Sequence, residues 1–362
     1  MNPKKVLHIS TARSWRGGEQ QIAYLVSELR KAGLEQHIVC VANAPLHKWA
    51  IEQNIPVLAL AKASSIDLRF SWKIKKYHQK EGFDIWHAHD AHAHGFAVYA
   101  QHFFQQSCRL IVSRRVDFPV AKSRSSAFKY NHPSVFRFLS VSQAIADILK
   151  ASIRNPEKVY TVHSANDPSR FLNPKKGKIR AEFPDLANKF WVLNVAALTG
   201  HKDLFTFLDT AKIVLESHSD IQFFIAGKGE LESELKAYAQ KLNLGDSCQF
   251  LGFRLDVPEL LADADCFLFS SEMEGLGTSV LDAFASETPV VATKAGGIPE
   301  MVKHQESGLL CEVKDAKCLA ESLLRIKNDP NLAAKLSSSA KTILSDFSPA
   351  KMARETLRHY QA

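Results

Sequence analysis

The chain has 362 residues, of which 46% are hydrophobic and 23% are charged, values close to those of ordinary globular proteins. Its length allows about two domains. The absence of an apolar run of about 18 residues excludes a predicted transmembrane helix. The first residues, MNPKKVLHIS, lack the apolar segment and small-residue cleavage site of a secretory signal peptide.

The positive charge of the chain is concentrated in its first half. Residues 1–170 contain 24 Lys and Arg against 12 Asp and Glu, whereas residues 171–362 contain 22 against 26. This asymmetry favours an acidic partner for the first half, such as an anionic membrane surface or an acidic glycan. A dispersed, solvated surface is the alternative. No nucleic-acid-binding motif is recognisable, so nucleic acid is not an expected partner.

In the first half, VLHIS predicts a strand that is followed by a Gly-rich turn and a helix, QQIAYLVSELRKAG. Apolar strands and periodic helices continue to alternate after it. The further predicted strands are QHIVCVA, IPVLAL, DIWHAH, RLIVSRR and FRFLSVS, and the further helices are SWKIKKYHQKEG, GFAVYAQHFFQQ and QAIADILKAS.

The second half repeats this alternation after a segment with little periodicity, HSANDPSRFLNPKKGK, which predicts a linker. Strands alternating with helices favour an α/β fold with parallel sheets, in which ligands bind at the carboxyl ends of the strands. The predicted strands are WVLNVAA, IQFFIAG, CQFLG, CFLFSS and PVVAT, and the helices are LFTFLDTAKIVLES, ELESELKAYAQKL, VPELLADA, TSVLDAFAS and IPEMVK.

The segment SSEMEGLGTSVLDAFASETPVVATKAGGIPE carries the strongest site signal. A strand ends in a loop containing Glu274, Gly275 and Gly277, and a helix is predicted to start with Thr278 or Ser279 as its cap. Glycines let the backbone pass close to a ligand, and the free N–H groups of a helix start favour a phosphate. Ordinary loop glycines and first-turn acids are the alternative for this loop alone.

Glu274 and Asp282 are eight residues apart, about 12 Å if the segment between them is helical. Two carboxylates at that separation do not form a general acid/base pair on one bond. They fit two different parts of a long ligand better.

Four histidines and an aspartate crowd the segment DIWHAHDAHAHG. His87 and His89 share a face of the predicted strand, whereas His92 and His94 have the opposite parity and are expected to start the next helix. The order H-x-H-D-x-H is close to metallo-hydrolase spacing, but its aspartate is displaced by one position, and no further ligand cluster follows. A zinc site needs three or four convergent ligands. A metal-dependent hydrolase using the His87–His94 cluster and a set of buried, hydrogen-bonded histidines both stay open.

Six cysteines are scattered along the chain without a CxxC pair. Cys266 and Cys311 lie in apolar segments, which is typical of reduced core cysteines. Free thiols in a cytosolic protein are therefore predicted.

The pattern E-G-x-G-x-x-x-x-[ED]-A-x-A-x-x-x-P-V-V-A-T-x-x-G-G-x-P-E resembles the nucleotide-sugar glycosyltransferases of family 4, which are retaining enzymes with the GT-B fold. VLNVAALTGHKDLFTFLDTAK, FFIAGKGELESEL and SWRGGEQQIAYLVSELRKAG extend the resemblance over nearly the whole chain. It implies two Rossmann-like domains facing a central cleft. The acceptor-side domain would span residues 1–165 with a crossing helix at 346–362, and the donor-nucleotide domain would span residues 166–345.

The resemblance implies a transfer of sugar from a nucleoside-diphosphate sugar to a hydroxyl of a glycan or glycolipid, as in bacterial envelope polysaccharide synthesis. Lys202 would contact the diphosphate, Glu274 the transferred sugar, and Asp282, where the family more often has glutamate, the ribose. A sugar-nucleotide epimerase with the same fold is an alternative reaction, and a nucleotide-binding protein without catalytic activity is a further alternative because of Ala197. The full donor-binding set that the resemblance implies is Gly17, Gly18, Lys202, Arg254, Glu274, Gly275, Gly277, Thr278 and Asp282.

On the acceptor side the resemblance implies roles for His89, which would assist catalysis, and Asp90. Two positions depart from the family pattern: Ala197 stands where an arginine is usual, and Arg115 where many members have a histidine. Arg115 is therefore hypothesised to hold the diphosphate. No cofactor and no metal are expected.

The expected location is the cytoplasm, peripherally on the inner face of the membrane. The helix SWKIKKYHQK and the basic segment VAKSRSSAFKYNHP would contact anionic lipid there, and a solvent-exposed basic loop is the alternative for that segment.

Overall fold

The computed structural model describes residues 4–62, 64, 67–120 and 123–362. The chain forms two compact units, the first comprising residues 1–165 and 349–362 and the second residues 166–348. Each unit is built on a parallel β-sheet, so the predicted α/β class with two Rossmann-like sheets is confirmed. The predicted boundaries, 165/166 and 345/346, lie within three residues of these divisions.

The sheet of the first unit has the strand order β3-β2-β1-β4-β5-β6-β7. Its strands are almost continuously apolar because helices cover both faces of a parallel sheet. Three polar residues, His8, Gln36 and His37, interrupt that pattern inside β1 and β2 and are nevertheless buried. The strands are β1 Lys5–Ile9, β2 Glu35–Val41, β3 Val57–Leu60, β4 Ile85–Ala88, β5 Arg109–Arg114, β6 Val135–Ser140 and β7 Val159–Thr161.

Side-chain caps begin several helices of the first unit, as at Asp90, which accepts from two backbone N–H groups at the start of α4. The prediction that His92 and His94 start this helix is confirmed. Helices α2 and α5 are short and were not predicted. The bounds are α1 Gly17–Lys31, α2 Pro45–Glu52, α3 Leu68–Glu81, α4 Ala91–Phe103, α5 Arg124–Tyr130 and α6 Gln143–Lys150.

The sheet of the second unit has the order β10-β9-β8-β11-β12-β13. The central strands β8, β11 and β12 are buried, and their carboxyl ends lead into the loops of the candidate site. The bounds are β8 Phe190–Val195, β9 Ile221–Ala226, β10 Cys248–Gly252, β11 Cys266–Phe269, β12 Val290–Thr293 and β13 Leu309–Cys311.

The helices of the second unit are amphipathic, and α10 lies directly after the β11 loop. The predicted cap of α10 is wrong: the helix begins at Thr278 and its N-cap is Gly277, whose backbone is left-handed with φ +88° and which has no side chain to form a cap. The bounds are α7 Leu204–Leu215, α8 Glu232–Lys241, α9 Val257–Asp263, α10 Thr278–Ala285, α11 Ile298–Met301, α12 Ala316–Asn328 and α13 Pro330–Ile343.

The last helix, α14 (Pro349–Gln361), belongs to the first unit and packs against α1. Its Tyr360 is fully buried and its hydroxyl lies 2.6 Å from Nδ1 of His87 on β4. Within the described part of the chain, no helix is both long and apolar enough to cross a membrane.

The prediction of free thiols throughout is wrong at two positions. Cys311, the last residue of β13, forms a disulfide with Cys318 in α12, because the turn between them brings their Cα atoms to 5.8 Å. Cys40, Cys108, Cys248 and Cys266 are free. A spacing of seven residues between two cysteines is not typical of any motif, so the pair was not predicted.

Candidate functional site

The loop after β11 holds a buried carboxylate. Glu274 is 7% exposed, and its carboxylate accepts a hydrogen bond from the hydroxyl of Ser271 at 3.2 Å. The same carboxylate forms an ion pair with the ammonium of Lys202, which ends a single 3₁₀ turn after β8. The structure thus brings together the two residues that were predicted separately as sugar and diphosphate contacts.

Backbone and side-chain hydrogen bonds hold these two loops in place. The amides of Glu272 and Met273 both donate to the carbonyl of His201, at 3.0 and 3.2 Å. The hydroxyl of Ser270 donates to the carbonyl of Asp203 at 2.9 Å. The ammonium and the carboxylate are therefore presented from braced loops at the carboxyl edge of the sheet, where parallel α/β sheets bind ligands.

The glycine pair after β12 is required by the backbone of Glu274. Gly296 has φ +50°, and a Cβ at this position would lie far inside contact distance of the Glu274 carbonyl. Gly297 donates its N–H to that same carbonyl at 3.3 Å. Any side chain at Gly296 would displace Glu274, so the glycine is part of the site geometry.

The start of α10 lies in the same loop region. Gly275 is half-buried in the loop, and Thr278 is the first residue of the helix. No side chain of a described residue caps the first turn of α10, so its N–H groups are available to an anion. An ammonium, a carboxylate and a helix N-terminus together suit a ligand that carries both phosphate and hydroxyl groups.

Asp282 lies one turn further along α10 and is half-buried. One of its carboxylate oxygens accepts from the side-chain amide of Asn166 at 2.6 Å. Burial raises the pKa of Asp282 to about 6, and the nearby charge of Arg170 opposes that rise. Its role toward a ribose stays a prediction.

Two residues near this edge of the second unit do not offer free charge. Arg254 is held by Glu182 and Asp256 at distances of 2.8 to 3.0 Å, and these carboxylates raise its pKa further above its ordinary value. Its predicted contact with the donor stays a prediction that these ion pairs disfavour. Ala197, in the loop after β8, is exposed and carries no charge.

The carboxyl ends of β4 and β5 and the start of α1 in the first unit line a cavity of about 550 Å³. Gly18, near the start of α1, lies against the side chain of Arg115, because a Cβ built on Gly18 would be 3.9 Å from the Arg115 Cδ. Among the charged and polar residues that line the cavity are Arg16, Glu19, His89, Arg114, Arg115 and Lys129.

Asp90 is engaged in hydrogen bonds within the first unit. One carboxylate oxygen accepts from the amides of His92 and Ala93 and from the hydroxyl of Thr11, at 2.7 to 3.1 Å. The other accepts from the Thr11 amide at 2.5 Å and the Ser10 hydroxyl at 3.2 Å. These five bonds fix the loop after β1 to the start of α4, so the predicted contact between Asp90 and an acceptor stays a prediction that this geometry does not favour.

His89 is the end of a buried chain of hydrogen bonds that the sequence did not reveal as a set. The Gln36 amide nitrogen lies 2.9 Å from the Val26 carbonyl, and its oxygen lies 3.0 Å from Nε2 of His8. His8 Nδ1 lies 2.9 Å from Nε2 of His89, whose Nδ1 lies 3.4 Å from Arg115 Nη2. The presence of His8 and Gln36 inside otherwise apolar strands is the sequence feature that could have indicated this hydrogen-bond chain.

The four histidines of His87–His94 do not converge on one point. His94 is buried against the rings of Tyr130 and Phe138, and His92 is at the start of α4. A different trio, His8, His87 and His89, has ring nitrogens within 4.8 Å of one another.

A metal at this trio would have to replace existing hydrogen bonds, because both ring nitrogens of each histidine already have a partner. The guanidinium of Arg115 beside His89 would also repel a cation. The donor set therefore fits a hydrogen-bond network better than a metal.

Two Rossmann-like parallel-sheet units with helices are the architecture of the GT-B glycosyltransferases. Anabaena HepE, solved with UDP and glucose, has a TM-score of 0.86 at 19% identity over 99% of this chain and 100% of that one. A glycosyltransferase from Rickettsia africae also has a TM-score of 0.86, at 19% identity over 100% and 98% of the two chains.

Two family models match the chain in succession. The model described as "Glycosyltransferase Family 4" matches residues 15–170, and the model described as "Glycosyl transferases group 1" matches residues 175–343. The chain therefore belongs to the family 4, group 1 glycosyltransferases, as its motifs predicted.

Two curated relatives cover most of the chain. N-acetyl-alpha-D-glucosaminyl L-malate synthase of Bacillus anthracis is 25% identical over 74% of this chain and 71% of its own length. UDP-Gal:alpha-D-GlcNAc-diphosphoundecaprenol alpha-1,3-galactosyltransferase of Escherichia coli is 24% identical over 81% and 80%. These matches do not support the alternatives of an epimerase or a metal-dependent hydrolase.

Proposed function

We propose that this glycosyltransferase moves a sugar, with retention of anomeric configuration, from a nucleoside-diphosphate sugar to a hydroxyl of a glycan or glycolipid used in bacterial envelope polysaccharides. The observation that carries the proposal is the pair of Lys202 and Glu274 beside the uncapped start of α10. An ammonium and helix N–H groups suit a diphosphate, and a buried carboxylate suits sugar hydroxyls.

In the proposed reaction the bond between the anomeric carbon and the diphosphate oxygen breaks while the acceptor oxygen bonds to the same face of that carbon. The acceptor proton passes to the leaving diphosphate. Lys202 has three N–H donors, so it can keep its ion pair with Glu274 and also stabilise the negative charge that develops on the leaving diphosphate. These donors do the work that a divalent cation would otherwise do, which supports metal-independent transfer.

The donor is proposed to lie on the second unit, with Glu274 orienting the sugar and Asp282 contacting the ribose through the oxygen that Asn166 does not use. Gly17 and Gly18 at the start of α1 are proposed as further phosphate contacts. Uridine donors are the first to test, because the HepE structures hold UDP and UDP-glucose. The names of the two curated relatives specify a malate product and a diphosphate-linked lipid acceptor, so charged acceptors belong in the screen.

Glu274→Gln tests this proposal. The amide keeps the shape of the side chain but cannot accept the same hydrogen bonds from sugar hydroxyls, so kcat should fall by about a hundredfold or more. UDP binding should stay within a few-fold of the wild type because the diphosphate contacts remain. The matched control is Glu272→Gln, an exposed glutamate two residues away whose ion pair with Lys314 lies at the surface.

A fully active Glu274→Gln enzyme would contradict the proposal. So would loss of UDP binding together with loss of transfer, since that result would indicate a disordered loop. Circular dichroism of both variants separates a misfolded protein from an inactive one.

We also propose that the first unit associates peripherally with the cytoplasmic face of an anionic membrane. Support comes from α3, where Trp72 is 45% exposed and lies beside exposed Lys73, Lys76 and Lys80. Each cation near such a surface contributes about 1 kcal/mol. Lys122 of the predicted basic segment lies outside the described residues.

Co-sedimentation with phosphatidylglycerol vesicles tests this association. Charge reversal of the three α3 lysines should abolish binding at low salt, whereas reversal of three lysines on the second unit should not. Equal binding to phosphatidylcholine vesicles would contradict an electrostatic association.

A further inference from the structure

Arg115 in the cavity of the first unit holds a positive charge that its surroundings do not neutralise. Among the described residues, no carboxylate oxygen lies within salt-bridge distance of its guanidinium, and its Nε is buried without a hydrogen-bond partner. Glu19 accepts from the Arg16 amide at 2.8 Å, and Asp90 is occupied by its five structural bonds. These two carboxylates act on Arg115 only from a distance.

Gln36 fixes the protonation of the chain that ends at Arg115. Because the Gln36 amide nitrogen faces the carbonyl of Val26, its oxygen faces Nε2 of His8 and must accept a hydrogen from it. His8 is neutral at neutral pH, since burial lowers its pKa to about 4. Its Nδ1 therefore carries a lone pair.

The same logic fixes His89. Its Nε2 must donate to Nδ1 of His8. Burial lowers the pKa of His89 well below its usual value, so the ring is neutral and Nδ1 has no hydrogen. This lone pair faces Nη2 of Arg115 and orients the guanidinium without neutralising its charge.

A second buried chain of hydrogen bonds ends at a hydroxyl group in the same cavity. Tyr360 lies 2.6 Å from His87 Nδ1 and, in the described ranges, its hydroxyl has no other partner, so it donates. His87 then donates from Nε2 to the hydroxyl oxygen of Ser113 at 2.9 Å. The hydroxyl hydrogen of Ser113, which lines the cavity, is left for a ligand.

The cavity wall also contains cationic and apolar residues besides the two engaged carboxylates, Glu19 and Asp90. Arg114 uses one guanidinium nitrogen on the Tyr130 hydroxyl and another on the Phe118 carbonyl, neither of which carries a negative charge. Val112, Val116 and Pro119 form part of the apolar wall. A cavity of about 550 Å³ with these walls suits an oxyanion attached to a larger, uncharged body.

We propose that this cavity binds an oxyanion of the acceptor, a phosphate or a carboxylate, through Arg115, with Gln36, His8 and His89 as positioning residues. The inference rests on the proposed function in that it assigns the charged group to the acceptor. The anion site itself is defined by the first unit alone.

Direct binding tests the site without any need for turnover. In a Lys202→Ala background, which removes the proposed diphosphate contact of the second unit, titration with inorganic phosphate should shift the Nε–H resonance of Arg115 saturably in ¹H–¹⁵N spectra. Arg115→Gln should abolish the saturable binding, and the control Arg154→Gln, an exposed arginine of the same unit, should leave it intact. Failure of phosphate to bind, or equal binding by Arg115→Gln, overturns the proposal.

The source of the oxyanion is tested with octyl glucoside 6-phosphate, octyl glucoside and UDP as probes. Arg115→Gln should weaken binding of the phosphorylated glycoside by about tenfold or more, as expected for a charge-assisted hydrogen bond, and leave octyl glucoside and UDP unchanged. Arg115→Lys, which keeps the charge, should restore part of the affinity. Weakened UDP binding instead would assign Arg115 to the donor diphosphate and overturn the proposal.

Imidazole ¹⁵N spectra test the positioning chain. His8 and His89 should both be neutral with hydrogen on Nε2, and Gln36→Leu should remove that preference while weakening phosphate binding. A hydrogen on Nδ1 of His89 would contradict the chain. If no transfer is found with any donor, the proposed function fails while these binding results stand on their own.

Discussion

His94 offers the sharpest test of the electrostatics of the first unit. It is fully buried, and neither ring nitrogen has a hydrogen-bond partner in the described part of the chain. Burial, with smaller contributions from Lys129 and Arg114, lowers its pKa well below the ordinary 6.5. His94→Phe keeps the edge-to-face contacts with Tyr130 and Phe138 but cannot take up a proton. We expect this variant to resist acid better than the wild type.

The sign of the effect follows from proton uptake. A histidine whose pKa is lowered on folding binds fewer protons in the folded state, so stability is lost as the pH falls below 6.5. Between pH 7.5 and 5.5, an unfolded histidine with pKa 6.5 gains about 1.4 kcal/mol from protonation, and a folded one that takes up no proton in this range gains nothing. Each such residue therefore lowers the unfolding free energy by up to about 1.4 kcal/mol over this range.

Four buried histidines of the first unit have lowered pKa values, so the wild type should lose stability between pH 7.5 and 5.5. His94→Phe should lose less than the wild type, by up to about 1.4 kcal/mol. The raised pKa values of Glu19 and Asp282 have the opposite effect on the pH dependence of stability, but only these two carboxyl groups contribute to it. The four residues are His8, His87, His89 and His94.

Urea unfolding at pH 7.5, 6.5 and 5.5 measures this difference. Tryptophan fluorescence reports mainly on the first unit, which contains four of the five tryptophans. Equal slopes for wild type and His94→Phe would refute the reasoning. A large loss of stability at pH 7.5 would do so as well, since it would show that the ring nitrogens make bonds.

The remaining predictions concern the second unit and the metal. Gly296→Ala should destabilise the unit and abolish transfer because its Cβ collides with the Glu274 carbonyl, whereas Gly177→Ala, also at positive φ but with open space, should cost only about 1 kcal/mol in urea unfolding. Asp263→Ala should lower the unfolding free energy by about 3 kcal/mol, since it leaves three backbone N–H groups without their acceptor, and the surface change Asp185→Ala should not. EDTA should leave initial rates of transfer unchanged; a loss restored by Mg²⁺ or Mn²⁺ would contradict metal independence.

The sequence predicted the fold well because its strands are nearly continuous apolar runs separated by periodic helices. It missed α2 and α5, whose seven or eight residues span only about two turns of periodicity. It also assigned no element to the short strands β7 and β13 or to the helices α12 and α13. It assigned the α10 cap to Thr278 or Ser279 because hydroxyl side chains are common caps, whereas the left-handed backbone at Gly277 decides where this helix begins. The disulfide was missed because the Cα distance between Cys311 and Cys318 depends on how the chain turns between β13 and α12, which the cysteine spacing does not show.

The candidate site was predicted unevenly. Glu274 and Lys202 follow strands in recognisable motifs, but their contact depends on two loops that are 72 residues apart, which no local pattern can show. The requirement for Gly296 also depends on this packing. His8 and Gln36 could be seen only as polar exceptions in apolar strands, because their meaning comes from the register that places them beside one another.

The two candidate sites hold their charge in opposite ways, and this difference determines what each can recognise. Lys202 forms an ion pair with Glu274. A ligand that replaces this ion pair must offer an anion to the ammonium and hydroxyl groups to the carboxylate. Arg115 faces a neutral imidazole and has no carboxylate within ion-pair distance among the described residues, so an anion there need not displace an existing ion pair, although Glu19 and Asp90 act on it from further away. A neutral sugar could therefore bind beside Glu274 when a diphosphate is attached to it, whereas a neutral ligand in the cavity of the first unit would leave the guanidinium unpaired and bind weakly.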